Sequence, residues 1–414
     1  MLHYLFDYLY DIGVNPNYHN LFNYISIRSV CAMIISLFVT VYFGKMIISF
    51  LSKKLVQDQV RDLGLSGQVE KTGTPTMGGI IILLGILIPT ILLCRLDNIY
   101  VILMLITTIW MGLIGFWDDY IKVFKNNKRG LAGRFKIVGQ VLLGLLISAC
   151  LFLHPDIVIQ ENISKSSETI LILDTVQNQE FPLLFERAEK SLKTTIPFFK
   201  NNQLDYTDLI SSSLRKDFVV FLFFSFIVVF IITAVSNSAN LTDGIDGLAT
   251  GISAIIGTTL GVFCYVSGNM VFANYLDIMF IPNTGELVVF ISAFVGSCVG
   301  FLWYNSFPAQ VFMGDTGSLA LGGIIGVLAI LIRKELLIPI FCGIFFVESL
   351  SVILQVSYFK YTKRKLGVGK RIFLMSPLHH HFQKLGIHES KLVTRFWIVC
   401  VFLCLLAFVT LKLR

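Results

Sequence analysis

The most constraining feature of this chain is a succession of about ten apolar runs, each close to the length that crosses a bilayer. A transmembrane helix needs about 20 predominantly apolar residues. Hydrophobic residues make up 55% of the 414 positions and charged residues only 14%, so a water-soluble fold is excluded. Because backbone polar groups in lipid must be hydrogen-bonded internally, the sequence predicts an all-α polytopic membrane protein. The predicted spans are 22–51, 78–94, 99–117, 135–153, 217–236, 248–267, 286–303, 318–332, 336–359 and 395–411.

The positions of Lys and Arg predict how these spans are oriented. The loops after spans one, three and nine (53–71, 122–136 and 360–395) carry about 4, 6 and 9 of them, against about five in the remaining short loops and tails. Cytoplasmic loops are enriched in Lys and Arg, so we expect these three loops in the cytoplasm and both termini in the periplasm. The net charge of +7 mostly reflects this asymmetry and an attraction to anionic lipid and substrates. No nucleic-acid partner is needed to explain it.

The chain is predicted to form a single transmembrane domain over 1–414. A polar insertion at 154–216, between spans four and five, is expected to be external and to form a small hairpin or cap. The eight cysteines show no CxxC or zinc-type spacing. They therefore indicate buried apolar side chains rather than a disulfide framework or a metal site.

Five polar segments interrupt the apolar sequence, all in loops predicted to be cytoplasmic. They are KTGTPTMGG at 71–79, FWDDYIK at 116–122, SNSANLTDGIDGLATG at 236–251, GDTGS at 314–318 and PLHHHF at 377–382. Since they fall after every second span, they are expected to meet on one face of the membrane.

The acidic residues of these segments suggest ligands for a divalent cation. Asp118 and Asp119 repel each other and need a cation, a metal or a raised pKa, although Lys122 offers a structural ion pair as an equal alternative. Asp315 precedes span eight, where it is either a helix N-cap or a magnesium ligand. A divalent-cation site and ordinary helix capping therefore both remain open for these carboxylates.

The segment at 236–251 carries the strongest functional signal. Four oxygen-bearing side chains recur there every three residues and would share one helical face; they are Asn237, Asn240, Asp243 and Asp246. Helix capping explains one such residue, but not four in a loop without Lys or Arg. We therefore interpret this segment as functional.

Backbone and aromatic groups add further candidates. Thr76 can cap span two, and the N–H groups of Gly78 and Gly79 can approach an anion, unless these glycines only allow two helices to come close. Phe312 either stacks on a base or packs in a wall. Glu348 is an intramembrane carboxylate, which indicates either a functional group or a helix-packing partner.

The run His379, His380 and His381 cannot easily converge on one metal, because successive side chains diverge. It therefore indicates phosphate donors or a general acid or base rather than zinc ligation. Oxygen ligands for a cation, basic donors for phosphates and glycines for close approach together are the groups that phosphoryl transfer at a membrane surface requires.

In this order, the motifs PTMGG, DDYIK, NLTDGIDGLA, FMGDTGSLALG and PLHHHF resemble those of the phospho-N-acetylmuramoyl-pentapeptide transferases, within the polyprenyl-phosphate N-acetylhexosamine-1-phosphate transferase superfamily. The resemblance runs from about residue 53 to the C-terminus, outside the insertion. It implies a transferase of bacterial peptidoglycan synthesis in the inner membrane. Phospho-MurNAc-pentapeptide would pass from UDP-MurNAc-pentapeptide to undecaprenyl phosphate and release UMP, with Mg²⁺ as cofactor and a homodimer as the assembly.

The same resemblance implies roles for individual residues. Asp315 would bind magnesium, and Asp118 would deprotonate the lipid phosphate with Asp119 beside it, while His379, His380 and His381 would lie near the phosphates or sugar. The residues implied in nucleotide or substrate binding are Lys71, Thr76, Asn240, Asp243, Gly244, Ile245, Asp246, Asn305 and Phe312, and those implied in phosphate or lipid binding are Lys122 and Arg134.

Two functional alternatives remain from the sequence. One is a sister enzyme that uses a UDP-N-acetylhexosamine without the peptide, and the other is a secondary transporter with Asp and His relays. Transporters place ionisable groups near mid-membrane, whereas here they concentrate in loops.

For the enzyme, direct in-line attack is preferred over a path through a phosphorylated Asp. Span nine, which contains Pro339, is expected to tilt or break and to border a groove for the prenyl chain.

Overall fold

The computed structural model describes residues 1, 22–53, 73–125, 127, 129–161, 188–197, 203–210 and 215–411. Within these ranges nine helices are long and apolar enough to cross a membrane, and a tenth, shorter apolar helix spans Gly79–Leu93. Each of the ten predicted spans overlaps one of these helices, so the prediction of an all-α polytopic membrane protein is confirmed. Lys71 lies outside the described residues.

The ten long helices are numbered along the chain together with three short ones. The long helices are α1 (Ile25–Lys53), α2 (Gly79–Leu93), α3 (Ile99–Phe124), α4 (Gly133–Leu153), α5 (Asp217–Thr242), α6 (Leu248–Ser267), α8 (Gly285–Asn305), α9 (Gly314–Leu331), α11 (Gly343–Leu366) and α13 (Glu389–Val409). The short helices are α7 (Met270–Leu276), α10 (Ile338–Phe341) and α12 (Leu378–Lys384).

Helix α9 is the centre of the bundle. Every residue from 316 to 331 is buried, and α9 contacts α2, α3, α5 and α6. This complete burial means that other helices, not lipid, surround α9, and the small residues of GDTGSLALGGIIG let those neighbours approach closely. Asp315, in the first turn of α9, is therefore held where several helices end together.

The insertion covers the opposite end of α9. Its described part contains an antiparallel hairpin of β1 (Lys193–Thr195) and β2 (Gln203–Asp205), with Thr194 opposite Leu204. The Thr195 N–H donates to the carbonyl of Arg333 at 3.2 Å, and Lys334 Nζ donates to Thr195 Oγ1 at 2.7 Å. Burial lowers the pKa of the Lys334 ammonium to about 8. The expectation of a hairpin or cap is confirmed for this part.

Span nine is broken, as expected. A 3₁₀ turn at Glu335–Leu337 leads into α10, which contains Pro339, and the helix is interrupted at Cys342 before α11 continues. A proline early in a helix is tolerated because its missing N–H has no intrahelical partner there. After the break, α11 borders a groove with α5 and α13.

Candidate active site

Three carboxylates converge where α3 meets the start of α9. Oxygen atoms of Asp118, Asp119 and Asp315 all lie within 4.8 Å of one another. Gly115, one turn before Asp119, allows this approach, since a Cβ at Gly115 would lie 2.1 Å from the carbonyl oxygen of Asp315. The small residue lets the two helix backbones touch, and this contact places the carboxylates side by side.

Gly115→Ala is expected to push α3 away from α9 and to lower both stability and activity. Because the obstructing atom belongs to the backbone, it cannot rotate away, so we expect overpacking to cost about 1–3 kcal/mol of unfolding free energy. Thermal unfolding in detergent measures this. Gly133→Ala is the matched control, because a Cβ there meets no atom within 4 Å; equal stability of the two variants would contradict the argument.

Asp119 holds the start of α9. Its Oδ1 accepts a hydrogen bond from the Asp315 N–H at 3.1 Å, and its Oδ2 accepts from the N–H and Oγ1 of Thr316 at 2.8 and 2.6 Å. The first N–H groups of a helix have no intrahelical acceptor and favour negative charge. Asp119 therefore caps α9 from a neighbouring helix, and the alternative that Asp315 is itself the N-cap is wrong, because α9 has no side-chain cap of its own.

Two lysines neutralise the other two carboxylates. Lys122 Nζ lies 2.5 Å from Asp118 Oδ2 and 3.3 Å from Asp315 Oδ2. Lys136 Nζ, from α4, lies 3.0 Å from Asp118 Oδ1 and 2.5 Å from Asp315 Oδ2. The ion pair that the sequence offered as an alternative for Lys122 is present in the structure. The sequence predicts Lys136 only as one of several loop charges, because nothing in its position distinguishes it from the other cations there.

Arg134 is not one of these neutralising groups in the structure. Its side chain is exposed, and its guanidinium carbon lies 5.1 Å from the centre of the adjacent Phe135 ring. Arg134 and Lys136 lie on different sides of α4, because two residues correspond to about half a helical turn.

Helix α5 contributes amide and carboxyl groups to the same site. Asn240 Nδ2 donates to Asp315 Oδ1 at 2.9 Å and to Ser318 Oγ at 2.8 Å. Asp243 follows the last residue of α5, and its withdrawal from water and the nearby carboxylates of Asp315 and Asp119 raise its pKa well above the usual range. Asn237, one turn before Asn240, donates instead to Gln140 Oε1 at 2.9 Å and so joins α5 to α4.

Of the two interpretations left open for Gly78 and Gly79, the anion site is wrong. Their N–H groups donate to the carbonyls of Phe312 and Met313, both at 2.8 Å, and are no longer available to an anion. The alternative of a close helix contact is confirmed, because a Cβ at Gly79 would lie 2.1 Å from the backbone nitrogen of Gly317. Thr76 is buried nearby but does not cap α2, which has no side-chain cap.

Asp246 and Asn305 fix the turn after α5. Asp246 Oδ2 accepts from the Ala309 N–H at 3.0 Å, and Asn305 Oδ1 accepts from the Gly247 N–H at 3.1 Å. Both side chains and the adjacent Ile245 are buried. The two polar residues are therefore tied to backbone groups that shape the loop around Gly244 and Ile245.

The three histidines have separate hydrogen-bond partners, although the rings of His379 and His380 lie in contact with their centroids 4.2 Å apart. His379 is buried, and its Nδ1 lies 3.0 Å from Glu348 Oε2. His380 Nδ1 lies 2.8 Å from Gln383 Oε1, and His381 Nδ1 accepts from the Leu374 N–H at 3.2 Å. The intramembrane carboxylate of Glu348 thus has a histidine as its partner.

His379 also contacts the loop at the end of α5. A Cβ at Gly244 would lie 2.1 Å from His379 Nε2, so the imidazole packs directly on the glycine backbone. This contact joins the histidine segment to the segment that carries Asn240 and Asp243. A side chain at position 244 would therefore have to displace the ring.

A bundle of apolar helices whose polar segments meet around three carboxylates defines a membrane-embedded member of glycosyl transferase family 4, and residues 101–333 match that family. Residues 71–83 match signature 1 of phospho-N-acetylmuramoyl-pentapeptide-transferase. The chain belongs to the phospho-N-acetylmuramoyl-pentapeptide-transferase family. It is 58% identical over its full length to the member from Flavobacterium psychrophilum, 56% to that from Flavobacterium johnsoniae and 54% to that from Parabacteroides distasonis, and it covers the whole of each relative.

Proposed function

We propose that this protein transfers phospho-MurNAc-pentapeptide from UDP-MurNAc-pentapeptide to undecaprenyl phosphate, releasing UMP and forming undecaprenyl-diphospho-MurNAc-pentapeptide. The observation that carries the proposal is the convergence of Asp118, Asp119 and Asp315 with Lys122 and Lys136 at the end of a membrane bundle. Such a set of charges stabilises phosphate groups and the charge that moves between them. The relatives that support it are full-length and are named for this activity.

The donor set fits magnesium. Asp118 and Asp315 each contact both ammonium groups and Asp119 lies beside them, so the cluster holds one more carboxylate than ammonium groups. Carboxylate oxygens are the ligands that Mg²⁺ prefers. Asp315 would hold the ion, with Asp118 beside it. When bound, magnesium would neutralise charge on the phosphates and orient them.

The chain's own residues position the reactants. We expect an oxygen of the lipid phosphate to attack the β-phosphorus, next to the sugar, while the bond from that phosphorus to the oxygen bridging to UMP breaks. A phosphate monoester has a second pKa near 6, so much of the nucleophile is ionised at pH 7 and a base at Asp118 contributes modestly. Lys122 and Lys136 hold Asp118 and would stabilise the departing phosphate.

The acceptor's prenyl chain would occupy the groove between α5, α11 and α13. This groove has a volume of about 1090 Å³, and its walls are almost entirely apolar. It reaches Leu241 on α5, the residue after Asn240. A chain seated there would therefore present its phosphate end toward the carboxylates.

The nucleotide would bind on the other side of the carboxylates. We assign the uracil to the loop of Gly244, Ile245 and Asp246, with Phe312 stacking on the base and Lys71, Thr76, Asn240 and Asp243 contributing contacts. Asn305 would act by holding this loop, and the histidines by binding phosphates or sugar. Arg134 would attract anionic lipid at the surface.

The active site would face the cytoplasm of a bacterial inner-membrane protein with periplasmic termini, and the protein would form a homodimer.

The proposal is tested by UMP release from purified protein with undecaprenyl phosphate and Mg²⁺. We expect turnover of UDP-MurNAc-pentapeptide and none of UDP-N-acetylglucosamine, and magnesium removal by a chelator should stop it. Turnover of UDP-N-acetylglucosamine alone would assign the sister activity, and no turnover of either would contradict the proposal. A phospho-enzyme that forms without acceptor would replace in-line attack by the two-step path.

A further inference from the structure

The groove between α5, α11 and α13 contains one ionisable side chain among the described residues that line it, Arg395 of α13. The other lining residues are uncharged and mostly apolar, and the polar ones include Thr233 and Asn237. An arginine in such apolar surroundings is costly unless an anion or water meets it.

Nothing in the described part of the chain neutralises this arginine. Arg395 is exposed, and no ion pair or hydrogen bond joins it to another described residue. Asn237, a polar residue of the groove wall on α5, already has its own partners, because its Nδ2 donates to Gln140 Oε1 at 2.9 Å and to the Thr233 carbonyl at 2.8 Å. The guanidinium is therefore available to a ligand that enters the groove.

Arg395 lies toward the end of the groove that is near the carboxylates. Helix α13 begins at Glu389, whose Oε1 accepts from the Asp246 N–H at 2.7 Å, so the start of α13 is tied to the site loop. Arg395 follows six residues later, a rise of about 9 Å along the helix. Phe382, which follows the three histidines, lines the same end.

We propose that Arg395 binds the phosphate end of the polyprenyl phosphate acceptor, as the residue that distinguishes this lipid from an uncharged polyprenol. This inference rests on the proposed function. An arginine is always charged and presents two parallel N–H donors to phosphate oxygens. In the apolar groove, where water competes poorly, such a pair would anchor the lipid before its phosphate moves to Asp118. Arg395 is thus a substrate-binding residue and takes no part in bond making.

The test compares Arg395→Gln and Arg395→Lys with the wild-type protein. We expect Arg395→Gln to raise the KM for undecaprenyl phosphate about tenfold or more, the loss of one charge-assisted pair, and to leave the KM for the nucleotide unchanged. Arg395→Lys should recover part of the loss. Lys391→Gln is the matched control, because Lys391 is an exposed cation on the same helix, one turn earlier, that does not line the groove.

Direct binding separates recognition of the phosphate from groove packing. Arg395→Gln should weaken binding of undecaprenyl phosphate and leave that of undecaprenol unchanged, with thermal unfolding confirming that the variant is folded. An unchanged acceptor KM, or an equal loss for both lipids, would overturn the proposal and leave Arg395 as a contact for bulk lipid or a packing residue. The binding measurement requires no turnover, so it decides on Arg395 even if the proposed transfer fails.

Discussion

Asp315→Asn is expected to lower UMP release by a factor on the order of a thousand or more. The substitution keeps the size of the side chain and removes the negative charge on which Lys122, Lys136 and Asn240 converge. Removal of one preorganised charge-stabilising group typically costs about 100- to 1000-fold, and here the metal ligand would be lost with it. The measurement is UMP release at saturating substrates and Mg²⁺.

Metal binding gives this prediction a second readout. We expect wild-type protein to bind Mn²⁺, detected by electron paramagnetic resonance, and Asp315→Asn to lose this binding. Asp217→Asn is the control, since Asp217 is exposed in the first turn of α5, at the helix end opposite Asn240. If Asp315→Asn kept both its activity and its Mn²⁺ affinity, the assignment of Asp315 would be wrong.

Asp119→Asn is expected to behave differently from Asp315→Asn. An amide at position 119 keeps one acceptor oxygen for the start of α9 and loses the other. Its effect should therefore appear in thermal stability as well as in turnover, because a lost cap costs about 0.5–2 kcal/mol.

Arg28→Met is expected to lower the free energy of unfolding by about 3–5 kcal/mol, because it leaves the buried Glu286 carboxylate without its partner. The guanidinium of Arg28 contacts both carboxylate oxygens of Glu286, at 2.7 and 2.6 Å, and joins α1 to α8. The Arg95 N–H also donates to Glu286 Oε2, at 3.0 Å, so the pair holds the connection between α2 and α3 as well. Thermal unfolding in detergent measures the loss.

The double variant Arg28→Met/Glu286→Met separates the net contribution of the ion pair to the free energy of unfolding from the cost of burying one unpaired charge. Replacing both partners by apolar residues is often neutral or stabilising, so the double variant should be more stable than Arg28→Met alone. Arg95→Met removes an exposed guanidinium in the same region and should change stability by less than about 0.5 kcal/mol. A double variant as unstable as the single one would show that the arginine contributes through packing instead.

The membrane helices and the composition of the site were predictable because both depend on local sequence. Apolar runs of bilayer length have few alternatives to a helix, and all ten predicted spans overlap helices. Asp118 and Asp315 were expected near each other because both follow from segments on one predicted face. The structure brings them together.

The partners within the site were not predictable, because they join residues far apart in the chain. Lys136 and Asp315 are separated by 179 residues, and Asp119 and Thr316 by 197. Their contacts depend on how α3, α4 and α9 rotate about their own axes when they pack. The same packing places the N–H groups of Gly78 and Gly79 in hydrogen bonds to the carbonyls of Phe312 and Met313, whereas the sequence alone left both an anion site and a helix contact open.

The sequence by itself determined that this is a polytopic α-helical membrane protein of one transferase family, and which residue types its polar segments carry. Hydropathy and motif order contain that information, because each depends on neighbouring residues. The tertiary structure alone decided that Asp119 caps α9, that Lys136 neutralises Asp315 and that Glu348 faces His379. The physical reason is that carboxylates, amides and ammonium groups acquire their roles from the few ångströms around them, which only helix packing sets.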